Sequence, residues 1–439
     1  MNPFRTLQLA IAVGVVFSTP LKAQSLLDLY DAARSFDATY QSVRSQVEAT
    51  AAKADQSRAG LLPTVNLAVT GSRSQIDSSI KIPNPAFGAL TGTLTASQPI
   101  YRPANRIALE QAQKTIIAAQ AQLQAAEQDL VVRVSQAYFD VLAAQDALTF
   151  VGAQKTAVAE QLASAKRNFE VVTSTITDTR EAQARYDLVI AQQIAAENDL
   201  RVKKLALDQL VGKEDTVPKP LAAPALLPAL VPIDVNIWVN QALDEHPSLR
   251  QSAITLEVAQ LETARAQAGH KPTLDLTGSL AKSYNDGSSS SRLDSRTRIG
   301  TVALAFNLPL YAGGSVQNRI RETLALEDKA RTDLEVVRRS VSQSTRVAFF
   351  GVSSGQGQVK ALEAAEASSQ SALDANKLGY QVGVRINIDV LNAQSQLFQT
   401  KRDLAKARYD VLVGGLRLRQ ANGTLKPEDL QAINSLLVK

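Results

Sequence analysis

Residues 298–311 read RIGTVALAFNLPLY. Within them Val302, Leu304, Phe306 and Leu308 form one row of alternate positions, and Thr301, Ala303, Ala305 and Asn307 form the other. Period two over such a length is strand periodicity with one apolar face. Three more stretches share it. Residues 64–70 set Val65, Leu67 and Val69 against Thr64, Asn66 and Thr70. Residues 90–101 carry the polar row Thr91, Thr93, Thr95 and Ser97. Residues 273–280 set Leu274, Leu276 and Leu280 against Asp275, Thr277 and Ser279. Each is close to the ~10 residues that a tilted strand needs to cross a bilayer. The connections inside each pair, 77–89 and 284–297, are polar and rich in Gly, Pro and Ser, and read as exposed loops.

The opening stretch also reveals a duplication. Leu308-Pro309-Leu310-Tyr311 repeats Gln98-Pro99-Ile100-Tyr101, and Gly269 with Pro272-Thr273 repeats Gly60 with Pro63-Thr64. Asp389 with Ala393-Gln394 repeats Asp178 with Ala182-Gln183. The spacing, roughly 210 residues, is too long for a solenoid unit and marks a duplicated half-protein. The expected division is a first repeat at 24–212 with strands near 62–76 and 90–101. A proline-rich linker follows at 213–235. The second repeat, 236–423, has strands near 273–284 and 297–310, and a C-terminal tail covers 424–439.

Between the strand pairs the periodicity is helical. Leu109, Ile116, Leu123, Leu130, Ala137, Ala144 and Val151 recur every seven residues, with Ala112, Ala119 and Ala126 beside them. Near the end, Val390, Leu397, Leu404, Val411 and Leu418 run parallel to Leu391, Phe398, Ala405 and Leu412. Two adjacent apolar rows mean a helix with neighbours on both sides, as in a wall. Residues 104–172 lack proline and would span roughly 100 Å as one helix. Residues 315–381 are similar, with a kink expected near Gly351, Gly355 and Gly357.

Composition narrows the function. The net charge of +5 is spread along the chain, with no basic run suited to nucleic acid. The absence of Cys removes disulfides, thiol catalysis, thiolate metal sites and a cysteine-linked lipid anchor. Residues 1–23 read as a secretory leader: Arg5, an apolar run at 7–17, and Ala23 at the cleavage point. No later stretch suits a membrane helix, so a membrane crossing would have to be a β-barrel. His246 and His270 read as turn residues, not metal ligands. Gly355-Gln356-Gly357 is not a phosphate loop, since no strand precedes it and no Lys-Ser/Thr follows. Trp238 reads as packing near the first turn of the helix opening the second half. No nucleophile or acid–base pair appears, so no enzyme and no cofactor are expected.

Four strands cannot close a barrel, and an open edge in lipid strands its backbone polar groups. Several copies must share one barrel: two would give eight strands and three would give twelve. A long coiled-coil periplasmic adaptor or envelope spacer is the competing reading. It accounts for the helices and the repeat but not for four alternating strands with polar rows.

The repeated Pro99/Tyr101 and Pro309/Tyr311, the stretch Gly379-Tyr380-Gln381-Val382-Gly383-Val384-Arg385 leading to Asp389-Val390-Leu391, and the tail Ala421-Asn422-Gly423-Thr424-Leu425 before Glu428-Asp429-Leu430 carry a resemblance. The chain resembles the TolC family of outer-membrane efflux and type I secretion channels over nearly its whole length after residue 23. The resemblance implies a mainly α fold with a membrane β-barrel: a homotrimer whose twelve strands, four per chain, are continued by a long α-helical barrel in the periplasm. It implies an equatorial belt and a periplasmic end closed at rest by inward-coiled helices. The partners implied are a periplasmic adaptor protein, an inner-membrane ABC or proton-driven transporter, and outer-membrane lipid. In such a channel Thr177 and Asp178 at the first helix turn would face Tyr380 and Arg385 at the second, holding the tip closed. Asp389 and Asn392 would line the narrowest ring. The family pattern has Asp at both positions; Asn392 departs from it, so one ring of three carboxylates is expected in place of two, with weaker cation preference. Gly383 matches a tip glycine for adaptor docking, and its first-half counterpart is Val172. Read from the residues alone, Asp178 and Asp389 are helix N-caps. Glu181 would complete a capping box after Asp178, and Asn392 is a weaker analogue. Capping and gating are compatible at a turn in the tube's mouth.

Overall fold

The computed structural model describes residues 23–171, 174–222 and 227–438. The expected leader lies outside the described residues except for Ala23, and Val172 lies outside them too.

Both halves follow one plan. The first runs α1 (Leu26–Phe36), α2 (Ala38–Ala59), β1 (Thr64–Gln75), β2 (Ala86–Tyr101), α3 (Pro103–Glu170) and α4 (Ile176–Val211). The second runs α5 (Val235–Glu245), α6 (Pro247–Gln267), β3 (Thr273–Asp286), β4 (Ser295–Asn307), α7 (Ser315–Gln381) and α8 (Asn387–Ala421); α9 (Asp429–Asn434) follows. Pro103 and Pro247 occupy the first helical position, where the missing N–H costs nothing.

The strands make one antiparallel sheet in the order β1-β2-β3-β4, so the two repeats join through β2 and β3. The register places like with like. Leu67, Leu94, Leu280 and Gly300 share one row; Val65, Ala96, Gly278 and Val302 share the next; Leu276 and Leu304 continue the same face. Thr95 and Ser279, with Asn66 and Thr301 as their outer partners, lie on the opposite face. One face suits hydrocarbon and the other suits water. Every residue of β1 and β4 is exposed, and each of these outer strands has a neighbour on one side only within the chain.

Two strand limits differ from expectation. β2 begins at Ala86 and β4 stops at Asn307, before Pro309. The repeated proline behaves differently in its two settings. Pro99, beyond the start of β1, faces Asp275 of β3 and stays in the strand at the cost of a register shift before Tyr101. Pro309 follows the strand that is an edge within the chain, and the strand ends two residues before it.

The helices form a wall in two tiers. Next to the sheet, α2 packs on α3, α3 on α6, and α6 on α7. Farther away, α4 packs on α3, α3 on α8, and α8 on α7. α3 and α7, with 68 and 67 residues, run the full height, roughly 100 Å each. α6 with α8 fills the lane between them in two pieces, and α2 with α4 lines the other side of α3 in the same way. α7 runs through Gly351, Gly355 and Gly357 as one continuous helix, and a Cβ at Gly355 would meet Val411 Cγ2 at 2.9 Å. The glycine there serves the approach of α8. The heptad row of α8 is buried at Val390, Leu397, Leu404, Val411 and Leu418. At the wall's outer margins Leu188, Val202 and Leu205 of α4 and Val336, Val347 and Phe350 of α7 remain exposed.

The tiers meet at the main core. Leu29 and Tyr30 of α1, Leu130 and Phe139 of α3, and Leu412 and Leu416 of α8 pack together there. The tail is part of this core and not an appendage, since Leu425, Leu430, Ile433 and Leu437 are buried in it. The linker crosses the same level and holds both chain ends: Gln24 N–H donates to Val217 C=O at 2.8 Å, and Val438 N–H donates to Pro220 C=O at 2.9 Å. Trp238 lies in α5 against Phe349, Val352 and Leu418, its indole N–H donating to Pro232 C=O at 2.9 Å.

Asp37 ties α2 to this level. It caps α2 by accepting from Tyr40 N–H at 2.8 Å and takes a two-pronged bond from Arg133 at 2.9 and 3.0 Å. The guanidinium, aided by the helix amides and opposed by burial, holds this carboxyl below the usual range. A depressed carboxyl stabilises the fold above its unfolded value near ~4 and loses that contribution as pH falls through the lower folded value. Asp37→Asn is expected to cost about 2 kcal/mol at neutral pH. Thermal unfolding should show the gap between wild type and variant closing below about pH 4; a gap that stays constant into strong acid contradicts the assignment.

Candidate functional site: the helix tips

The two helix turns farthest from the sheet lie side by side. At the first, α4 is capped by Thr175. Its hydroxyl oxygen accepts from Asp178 N–H at 3.2 Å, while Asp178 Oδ2 accepts from Thr175 N–H at 3.0 Å and from its hydroxyl at 2.9 Å. The capping box is therefore Thr175/Asp178, three residues earlier than Asp178/Glu181. Thr177, in the first turn of α4, is exposed.

At the second turn α7 ends in a left-handed glycine. Gly383 has φ 76, Val384 N–H donates to Gly379 C=O at 2.8 Å, and Gly383 N–H donates to Tyr380 C=O at 3.2 Å. This is the Schellman arrangement, which favours glycine at that position. It lays the Arg385 stem against Gly379, where an added Cβ would meet Arg385 Cγ at 2.6 Å. The N-cap of α8 is the apolar Ile386, with no side-chain cap, so Asp389 is not a cap either. It sits one turn in, where the helix N-terminus favours negative charge, and pairs with Arg385 at 3.7 Å.

Four hydrogen bonds join the two helix pairs. Asn387, almost fully buried, accepts from Gln161 of α3 and donates to the Asp178 main-chain oxygen at 3.4 Å. Asn168 donates to the Tyr380 hydroxyl at 3.2 Å. Arg185 donates to Asn392 Oδ1 at 2.7 Å, crossing from α4 to α8. Apolar side chains support each turn: Ala165, Ala182 and Leu391 under the first, Leu373, Val390 and Leu397 under the second. Within one protomer, then, Asp178 serves its own helix, Arg385 pairs with Asp389, and Tyr380 bonds Asn168. Arg185, Asn387 and Asn168 were missed by the sequence reading. Arg185 carried a signal, standing one heptad after Asp178 on the same face.

This arrangement has hydrogen-bonded latches and a salt bridge. With an open-edged membrane sheet and a helical wall, it defines one segment of a channel that continues from a membrane barrel into a helical barrel. The model of the outer membrane efflux protein family matches residues 29–213 and 238–424, one match for each repeat. The outer membrane protein TolC of Vibrio cholerae serotype O1 is 33% identical over 99% of this chain and 98% of its own. The alkaline protease secretion protein AprF of Pseudomonas aeruginosa is 30% identical over 94% of this chain and 87% of its own. Among solved structures, the outer membrane protein VceC of Vibrio cholerae superposes with a TM-score of 0.78 at 18% identity, covering 91% of this chain and 96% of that one. The chain belongs to the outer membrane efflux protein family. It is an outer-membrane channel protein and not an enzyme, which displaces the reading as a coiled-coil adaptor or spacer.

Proposed function

We propose that this chain closes as a homotrimer into a twelve-stranded barrel and serves as the outer-membrane exit duct of a tripartite efflux pump or type I secretion system. The carrying observation is the pair of unpartnered margins. β1 and β4 are exposed throughout, and α4 and α7 present apolar side chains to nothing within the chain. A neighbouring copy supplies what both margins lack, since β4 of one chain can pair with β1 of the next. Small molecules or unfolded protein would pass when an inner-membrane ABC or proton-driven transporter and a periplasmic adaptor recruit the duct. The secretion of proteases by AprF-like relatives and the efflux role in the family's name support this reading.

The helix tips form the gate in this reading. Thr177, Asp178, Tyr380 and Arg385 lie where neighbouring helix pairs meet on closure, and Asp389 and Asn392 lie just above. Gly383, with Val172 as its first-half counterpart, offers the docking tip. The Arg385–Asp389 pair is exposed and contributes little to the fold, so removing Arg385 tests the gate without unfolding the tip. In planar bilayers the wild-type protein should show a small conductance, and Arg385→Ala and Tyr380→Phe should each raise it several-fold while the heat-resistant oligomer persists. Unchanged conductance in both variants removes the gate. The charge pattern bears on selectivity: Asp389 is balanced by Arg385, and Arg185 faces a neutral Asn392. Restoring a carboxylate with Asn392→Asp should increase cation preference, read as a shift in reversal potential across a salt gradient.

A further inference from the structure

The hydrocarbon-suited face of the sheet changes character toward its loop end. Beyond the Leu67, Leu94 and Leu280 row, the register sets Val69, Gly92, Lys282 and Arg298 together. The next row holds Gly71, Leu90, Tyr284 and Arg296, and the one after it Arg73, Gly88 and Asp286. Lys282 and Arg298 are thus direct cross-strand partners on one face, a placement in which like charges repel. Both are exposed, and among the described residues neither is ion-paired. The nearby carboxylates do not answer them. Asp294 accepts from the Tyr284 hydroxyl at 2.8 Å, and Asp286 lies two rows away opposite Gly88. Arg296 stands over the Tyr284 ring at 5.7 Å.

The position along the strand is informative. From Leu274 to Lys282 on β3, allowing for tilt, is roughly 20 Å, close to the ~25 Å apolar band of membrane barrels. The basic row therefore sits where hydrocarbon gives way to headgroups, on the side away from the helices. At the helix end of the sheet Arg102 is spent on Asp275 in a two-pronged pair at 2.8 and 2.7 Å. Within the strands, the basic residues of this face, Arg73, Lys282, Arg296 and Arg298, all stand toward the outer end.

We infer that Lys282 and Arg298, flanked by Arg296, bind the phosphate of a phosphorylated lipid headgroup in the outer leaflet. A phosphomonoester offers several acceptor oxygens and can take bonds from the guanidinium and the ammonium together, turning their repulsion into a shared contact. Arg73, at the outer end of the free β1 edge, would join the same belt from the neighbouring copy when the barrel closes. The inference rests on the membrane reading of this face and is independent of the gate.

The test uses the full-length oligomer in lipid nanodiscs, with native mass spectrometry counting bound copies of a bisphosphorylated lipid A and of its dephosphorylated form. Wild type should retain the phosphorylated lipid selectively. Lys282→Gln with Arg298→Gln should weaken it about thirty-fold, from roughly fivefold for each basic side chain. Lys282→Arg with Arg298→Lys keeps the charge and should keep the binding, which separates loss of charge from loss of folding. Equal retention of both lipids by wild type, or equal binding by wild type and the double Gln variant, overturns the site. Displacement of the lipid by an equal concentration of inorganic phosphate overturns the commitment to a lipid headgroup. Failure of the wild-type chain to enter the nanodisc removes the membrane reading, and the site with it.

Discussion

Val302→Arg is expected to abolish the heat-resistant oligomer. Val302 is 81% exposed in the single chain and shares its row with Val65, Ala96 and Gly278, midway along the apolar face. A guanidinium at that depth in lipid costs about 2–4 kcal/mol per chain. In the proposed trimer the cost recurs in every copy, and it falls on the strand that would pair with a neighbour. Thr301→Arg is the matched control. It changes the adjacent residue of the same strand, but on the polar face, where a charge meets water in the lumen. Semi-native gel electrophoresis of outer-membrane fractions should show monomer for the first variant and oligomer for the second. The reverse pattern would mean that the two faces of the sheet have been assigned the wrong way round.

Gly423→Ala is expected to destabilise the middle of the molecule by about 3 kcal/mol or more, combining left-handed strain with a backbone collision. Gly423 has φ 81, and a Cβ there would fall 2.5 Å from His246 Cα and 3.0 Å from His246 N. Both obstacles are main-chain atoms, so no rotamer change relieves them. The site is a joint of three elements. Gln128 of α3 donates to the Gly423 and Leu425 carbonyls at 2.8 and 3.1 Å, and Asn422 donates to Gln241 of α5 at 3.2 Å. His246 caps α6 there, its ring nitrogen accepting from Ser248 N–H at 3.1 Å, and burial pushes the imidazole pKa down. Gly415→Ala is the contrast: its Cβ would meet nothing within 4 Å inside α8, so the helix should gain up to about 1 kcal/mol. Melting temperatures of the two variants should move in opposite directions, and a shared direction would place the strain elsewhere.

The strands were legible because their signal is local. Val302, Leu304 and Phe306 alternate with small or polar residues whatever pairs with them. The α8 core was legible for the same reason, since seven-residue spacing marks Val390 through Leu418 without knowledge of the partner. The cap register was not. Thr173, Ser174, Thr175, Thr177 and Asp178 all bear capping-competent side chains, and only the path of the turn selects Thr175. The Arg185–Asn392 bond was hidden because it needs α4 beside α8, a relation between repeats that spacing within one repeat does not disclose. Pro99 and Pro309 show the limit most simply. Both are followed by an aliphatic residue and a Tyr, yet Pro99 stays within a strand paired to β3 and Pro309 falls beyond the end of β4.

The burial of Leu425, Leu430, Ile433 and Leu437 at mid-height has a temporal side. The residues that fill the centre, Leu425 to Leu437, stand roughly 300 positions after their partners Leu130 and Phe139. Until they arrive, the long helices face a gap beside Tyr30 and Phe139, and the linker lacks the strand-like contact with Val438. Packing at the waist therefore waits on contacts between residues far apart in the sequence, which form later than the heptad contacts between successive helices.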